Sequence, residues 1–503
     1  MSNNNSKFAT MKDKIKLIIP IYSIYDSSKP PLYIKMARCF QEEYGFDLVA
    51  VTHGESSRRF LKKYKNIKWS ATYDFQDFLL DFSARALDME QARRLESEYG
   101  NPNFGMCFTA AEGLFYDYNK KYTYEETVKI ISGVALFWEE LFKKEGVSVF
   151  IDEGIASVNS IIWKIAQKRG ARIFSLITAR FPDRFAISHR AFDIWDESQR
   201  VFESIKKRNL SEKETVRAQA FLDDFARRKL EPPYMKLNKR PPVISPKAPL
   251  NFIIYLYQYY FLGGKDNIFF QSPYYRIKGK LERIFLYNAL KTKNIWEKPA
   301  GGEKFVLFPL QYQPEASTQV LAPFYLDQAA VIENIARSLP VGCRLYVKEH
   351  VPCVGMRPVS FYRRILRIPN VRLISPWADT YQLIRDSLAV AAITSTVGWE
   401  TILCGKPIIL FGRVFYDIYD PIFKVEDIAK LPDIVKDAIE SREPNKELLL
   451  KFITAILGST YEGEIAMPME YTYSDRNVEN LCAAIAREAK GVYPGGPADQ
   501  ISI

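Results

Sequence analysis

The sequence predicts an α/β protein with two parallel-sheet domains on either side of a basic, aromatic linker. Three observations predict it. Short apolar runs alternate with helically spaced stretches in both halves, as expected of strands joined by crossover helices. At 503 residues the chain exceeds what one compact core holds. Between the halves, 231–249 (EPPYMKLNKRPPVISPKAP) carries six prolines and reads as extended chain. The expected division is 1–230, 231–300, 301–465 and 466–503, the last a helix and tail.

In the first half, 14–22 (KIKLIIPIY) and 46–52 (FDLVAVT) are apolar runs of buried-strand type, with a helix expected at 31–44 between them. Helical spacing over 123–145 leads into a strand at 147–151. A helix at 156–169 stops at Gly170, and 172–177 is the next strand. Ser211 and Glu214 have the spacing of a capping box opening a helix to about 229.

In the second half the expected strands are 305–310, 344–348, 371–374, 388–393 and 407–411. Helices are expected at 324–339, 360–367, 380–386 and 397–403. Gly405-Lys406-Pro407 is a helix stop, with glycine at the left-handed position and proline after it.

Composition narrows the functional class. No run reaches the roughly 18–20 apolar residues that span a bilayer. MSNNNSKFAT lacks the apolar core of a secretory signal. The six cysteines are scattered without a CxxC pair, as in a reduced compartment. A cytoplasmic protein is expected, with peripheral attachment to the inner membrane face as an extension of that reading. Net charge is +11, and 236–298 alone holds twelve Lys/Arg against three Asp/Glu. Charge gathered in one segment, without a groove-reading or RNA-binding motif, argues against nucleic acid. That segment interleaves aromatics such as Phe252, Tyr255, Tyr257, Tyr260 and Phe261 with Lys265, Arg276, Lys278, Lys280 and Arg283. It reads either as a surface for anionic lipid or as aromatic packing between domains beneath a solvated basic face.

Ligands of open α/β sheets bind beyond the carboxyl ends of the strands. Three such ends in the second half are polar: 311–318 (QYQPEAST), 349–352 (EHVP) and 394–400 (TSTVGWE). Gln311, Glu315, His350, Ser395, Thr396, Gly398 and Glu400 are therefore candidate donor-binding residues. Ser395 and Thr396 open a helix, where free N–H groups favour an anion, and Gly398 would let a phosphate approach the backbone. Simple helix capping is the alternative. His350, one of three histidines, could donate to a phosphate or a sugar carboxylate; neither Glu349 nor Cys353 completes a metal set around it. In the first half, Asp152-Glu153-Gly154 follows a strand, and its paired carboxylates suit general-base or nucleophilic work. Charge complementarity at a helix start is the alternative for them. His53, Arg180 and Arg184, after the strands 46–52 and 172–177, are candidate acceptor contacts.

The run TSTVGWETILCGKPIILFGRVFYD at 394–417 resembles the capsule polysaccharide biosynthesis family, which includes transferases adding β-linked Kdo from CMP-Kdo. In that family a Ser/Thr turn, a glycine, a short helix, Gly-Lys-Pro, an apolar strand and a Gly…Phe/Tyr tail recur in this order. The 349–352 segment is similar to the family's His-Pro element, with Val351 inserted. Asp152-Glu153-Gly154 is similar to the acidic-acidic-Gly motif of bacterial sialyltransferases. The resemblance covers about 305–420. It implies a GT-B-like fold, with two Rossmann-like domains facing a cleft, donor bound by the C-terminal domain and acceptor by the N-terminal one. By the same analogy the helix at 477–490 crosses back to the first domain.

The implied function is transfer of a sugar, a CMP-activated ulosonic acid such as Kdo, onto a surface polysaccharide or its lipid-linked precursor. Asp152 or Glu153 and His350 would be catalytic. The expected partners are a nucleotide-sugar donor, a glycan or lipid-linked glycan acceptor and an anionic membrane surface. No metal and no cofactor beyond the donor are expected. A transferase using UDP- or GDP-sugars, a UDP-sugar epimerase, and a non-catalytic glycan-binding component remain as rivals.

Overall fold

The computed structural model describes residues 14–21, 29–100, 103–108, 123–152, 158–189, 194–228, 246, 248–261, 265, 271–292, 295–313, 315–441, 445–465 and 471–491. Two sheets form its frame. The first contains β1 (Lys16–Ile21), β2 (Asp47–Thr52), β3 (Trp69–Asp74), β4 (Val149–Asp152), β5 (Arg172–Thr178), β6 (Arg184–Ser188) and β13 (Tyr461–Glu462). Their order is β13-β6-β5-β4-β1-β2-β3, with β1 to β5 parallel and β6 and β13 each antiparallel to its neighbour. The second contains β7 (Lys304–Pro309), β8 (Cys343–Lys348), β9 (Val371–Ile374), β10 (Ala389–Ala392), β11 (Ile408–Leu410) and β12 (Ile422–Lys424). Its order is β12-β11-β10-β7-β8-β9, parallel throughout.

The central strands are apolar on both faces because both faces are covered. Ile18 of β1 joins the core around Trp138 and Phe150, whereas Leu17 and Ile19 face the core of Phe40 and Ile485. Local signals set the helix limits. Thr123 and Glu126 form a reciprocal capping box that opens Tyr124–Glu145, and Gly146 closes it at φ 56°.

Strands the sequence does not announce are short or lie at a sheet edge. The β3 sequence WSATYD alternates polar with aromatic residues at a sheet edge and has none of the apolar continuity of β1. The short β6 and β13 are held by pairing with neighbours.

The chain crosses between domains twice. Helices Asp196–Lys206 and Glu212–Arg228 precede the linker but pack on Lys446–Gly458, with Trp195 stacked on Phe415 at 4.0 Å. After that helix the chain returns: β13 joins the first sheet, and Asp475–Ala489 packs against Lys29–Glu42. The Arg172 guanidinium donates to the Glu488 and Ala489 carbonyls. Burial works against protonation of His189, but the Glu488 carboxylate, 2.7 Å away, prevails and raises its pKa.

Candidate functional site

The second sheet runs outward from β7 through β8 to β9, then resumes at β10 on the other side of β7. Its topological switch point therefore lies between β7 and β10, where the chain ends splay and leave a crevice. A cavity of about 510 Å³ occupies that place. It is lined by residues at and beyond the carboxyl ends of β7, β8, β9 and β10, among them Gln311, Glu315, Lys348, His350, Trp377 and Ser395. Thr396 and Glu400 line it from the helix Thr396–Leu403. Across the cleft, Arg180 from the turn after β5 is the one N-terminal-domain residue among the described lining residues.

Beneath the cavity lies a polar scaffold. The Glu349 carboxylate is fully buried and accepts from Arg357 Nε at 3.0 Å, Tyr362 Oη at 2.7 Å and the His350 N–H at 2.7 Å. The Arg357 guanidinium also donates to the Gln311 carbonyl. With its side-chain oxygen turned toward β10, Gln311 accepts from the Ser395 N–H at 2.6 Å and the Thr394 N–H at 3.2 Å. These bonds pin the ends of β7, β8 and β10 to each other. Gln311 thus positions Ser395.

Two polar atoms of the lining are left over. His350 Nδ1 and Ser395 Oγ are buried with no hydrogen-bond partner among the described residues. Such atoms cost free energy unless a ligand or water completes them. Ser395 occupies the N-cap position of Thr396–Leu403, yet its side chain makes no capping bond. Burial, followed by the charges of Lys348 and Arg357, lowers the His350 pKa to about 4. The imidazole is therefore neutral near pH 7 and offers one donor and one acceptor. Positive charge comes instead from Arg180 and Lys348, the latter anchored to the Pro376 carbonyl at 2.8 Å.

Several candidate residues lie elsewhere. Gly398 is buried against Tyr416 and Ile408, where an added Cβ would stand 2.2 Å from Tyr416 Oη and 2.6 Å from Ile408 Cδ1. Its glycine is required by packing, not by a phosphate. Tyr416 cannot move aside without breaking its 2.7 Å bond to the Ser395 carbonyl. Gly398→Ala is expected to cost about 1–3 kcal/mol in chemical denaturation; a cost under about 0.5 kcal/mol, the size of an ordinary surface substitution, would refute this packing account.

Asp152 ends β4 but is buried, accepting from Asn159 Nδ2 at 2.6 Å and Trp163 Nε1 at 2.5 Å. Ser175 Oγ adds a third bond at 3.5 Å. The carboxylate is engaged inside its own domain and is not among the lining residues, because the helix Asn159–Lys168 folds its donors over it. Glu153 and Gly154 lie outside the described residues. Arg184 is also drawn inward: it donates to Thr460 Oγ1 at 2.8 Å and the Leu457 carbonyl at 3.0 Å, at the end of Lys446–Gly458. Burial, then the charge of Arg217, lowers its pKa to about 10. His53 is buried at the start of Gly54–Lys62, its ring 5.5 Å from Phe75. Burial lowers its pKa to about 4 against the pull of Asp74.

Lys348, Arg357 and Trp377 were not among the sequence candidates. Lys348 has a signal, a cation closing an apolar strand two positions before His350. Trp377, 53% exposed, follows β9, a fourth strand end with an unremarkable polar turn. For Arg357 no local signal exists, since its partners come from three separate segments.

Residues 274–420 match the model of a family described as capsule polysaccharide biosynthesis protein. This bears out the resemblance carried by 394–417. No curated protein matches the sequence. Among solved structures, the chain resembles the Thermosulfurimonas dismutans KpsC β-Kdo 2,7 transferase at 12% identity and TM-score 0.36, covering 72% of this chain and 90% of that one. The β-Kdo 2,4 transferase of KpsC from the same organism gives 13%, 0.34, 64% and 84%. A putative UDP-N-acetylglucosamine 2-epimerase from Listeria monocytogenes gives 11%, 0.27, 96% and 98%. Likenesses at such identities and scores carry no argument about substrate. Residues 274–420 carry the capsule polysaccharide biosynthesis signature, within an α/β chain built on two largely parallel sheets.

Proposed function

We propose that this chain is a glycosyltransferase of surface-polysaccharide assembly. Its donor is a CMP-activated ulosonic acid such as Kdo, and its acceptor a capsule-type glycan or its lipid-linked precursor. The observation that carries this reading is the pair of unpartnered buried atoms, His350 Nδ1 and Ser395 Oγ, in a cavity at the switch point. A phosphate at the start of Thr396–Leu403 would take a bond from Ser395 Oγ and from the helix's first N–H groups. Neutral His350 would donate one more. A ulosonic acid donor carries a carboxylate besides its phosphate, and Arg180 and Lys348 provide cations on opposite sides of the cleft. The family description over 274–420 supports the polysaccharide setting.

In the reaction, the bond between the sugar's anomeric carbon and the phosphate oxygen breaks, and CMP leaves with the electron pair. The acceptor hydroxyl oxygen bonds to that carbon and gives its proton to a carboxylate. Glu315 and Glu400 line the cavity and are the proton-acceptor candidates. The fixed N–H dipoles and His350 stabilise charge developing on the leaving phosphate. With Arg180 and Lys348 supplying positive charge, the proposal calls on no metal.

Thermal-shift titration with CMP, UDP and GDP tests it. A nucleotide that binds only the folded state raises Tm, by an amount set by its concentration relative to Kd. CMP is expected to stabilise the protein. Ser395→Ala and His350→Ala should each weaken it about tenfold, the loss of one hydrogen bond to a charged group. Stabilisation by UDP or GDP alone would exclude the CMP donor, and no response to any nucleotide would exclude transfer from a nucleotide sugar.

A further inference from the structure

We propose that the helix pair Ala248–Phe261 and Pro273–Thr292 docks the protein on an anionic membrane surface. On the first helix, Leu250, Ile253, Ile254, Tyr257, Tyr260 and Phe261 recur at helical spacing and are all at least 48% exposed. Tyr274, Ile277, Leu281 and Phe285 form a second such stripe, at least 44% exposed. Contiguous apolar stripes of this kind mark an interaction face. Tyr255 Oη donates to the Gln271 carbonyl, and the Arg276 guanidinium lies 4.0 Å over the Tyr255 ring, so the two helices are joined.

Charge selects the occupant. Besides Arg276, stacked on Tyr255, and Arg283, bound to the Pro352 carbonyl, the second helix carries Lys278, Lys280 and Lys291 against the single acid Glu282. In a symmetric contact with a second copy, this excess of positive charge would meet itself and repel. Anionic headgroups complement it, while tyrosines and branched aliphatics suit the boundary between headgroup and acyl chain. No helix among the described residues is long and apolar enough to cross a membrane. The pair would therefore lie on the surface.

The second helix is also seated on the candidate site. Arg283 Nη2 donates to the Pro352 carbonyl at 2.9 Å, in the turn that follows His350. Gly355 approaches the helix so closely that an added Cβ would stand 2.6 Å from the Arg283 carbonyl. A docked helix would thus hold the His350 turn beside the bilayer, where a lipid-linked acceptor is presented. The docking itself does not depend on the donor reading, since CMP binding and vesicle binding are measured separately.

Co-sedimentation of the full chain with vesicles tests the inference. Binding is expected to an equal mixture of phosphatidylglycerol and phosphatidylcholine, falling as salt rises, and not to phosphatidylcholine alone. Each lost cation should weaken binding about fivefold, so Lys278→Ala/Lys280→Ala should lose about 25-fold. Ile253→Glu/Phe285→Glu should lose at least as much. In both variants the melting temperature without ligand should match that of the parent, which shows that they fold. Equal binding to both vesicles, or unchanged binding of the variants, would overturn the proposal. So would a dimer in sedimentation velocity that Phe285→Glu dissolves while no vesicle binds.

Discussion

Replacing Arg357 with alanine is expected to lower the unfolding free energy by about 3–5 kcal/mol and to weaken nucleotide binding with it. Glu349 is fully buried, and its one ion-pair partner among the described residues is Arg357, itself only 8% exposed. Truncation strands a carboxylate away from water, with Tyr362 Oη and the His350 N–H as its remaining donors. The Gln311 carbonyl loses its guanidinium donor in the same step. Because Gln311 in turn holds the Ser395 N–H, the damage reaches the cavity through two turns. Urea denaturation of the variant measures the first effect, and a CMP titration below its melting range measures the second. Removing both charges, as in Glu349→Gln/Arg357→Met, should recover much of the stability but not the nucleotide affinity. A cost below 1 kcal/mol for the single change would mean that the pair is solvated and the scaffold unimportant.

Acidification from pH 7 to pH 4 is expected to remove roughly 3 kcal/mol of stability at each of His53 and His350. Both lie at about 4 when folded, principally through burial, whereas an unfolded histidine titrates near 6.5. A lowered folded value means that the native state binds fewer protons than the unfolded chain between those two points. The stabilisation is therefore complete above pH 6.5 and is lost as pH falls toward 4. His189 acts in the opposite sense: its raised pKa adds stability below 6.5 that disappears as pH rises through the folded value. Denaturation curves collected from pH 8 to pH 4 report the sum, and His350→Gln isolates one contribution. That variant should flatten the acid slope by roughly 3 kcal/mol over the range, and a slope identical to the parent's would sink the assignment. Nucleotide affinity, by contrast, should show no step near pH 6.5 from His350, because the imidazole is already neutral there.

Much of the frame was legible in the sequence. Strands buried on both faces, such as β1 and β7, are continuous apolar runs, and helices such as Tyr124–Glu145 carry their own caps, so local chemistry decides them. The polar strand ends at 311, 350 and 395 follow from the same periodicity, and the structure gathers them around one cavity because the strand order reverses between β7 and β10. What a polar residue does there is a matter of what surrounds it, which no local window contains. Asp152 reads as an exposed strand-end acid until Asn159 and Trp163 close over it. Arg184 reads as an anion contact until the end of a helix more than 270 positions away takes its guanidinium. Gly398 reads as a phosphate glycine until Tyr416 fills the space a side chain would need. Arg357 gives no signal at all, since its role exists only where Glu349, Gln311 and Tyr362 meet. The sequence by itself determined the two α/β domains, the polar strand ends and the basic aromatic segment, because periodicity and composition are local. Only the tertiary structure decided which polar groups are satisfied and which are left unpartnered among the described residues, because hydrogen-bond satisfaction depends on partners that folding brings together.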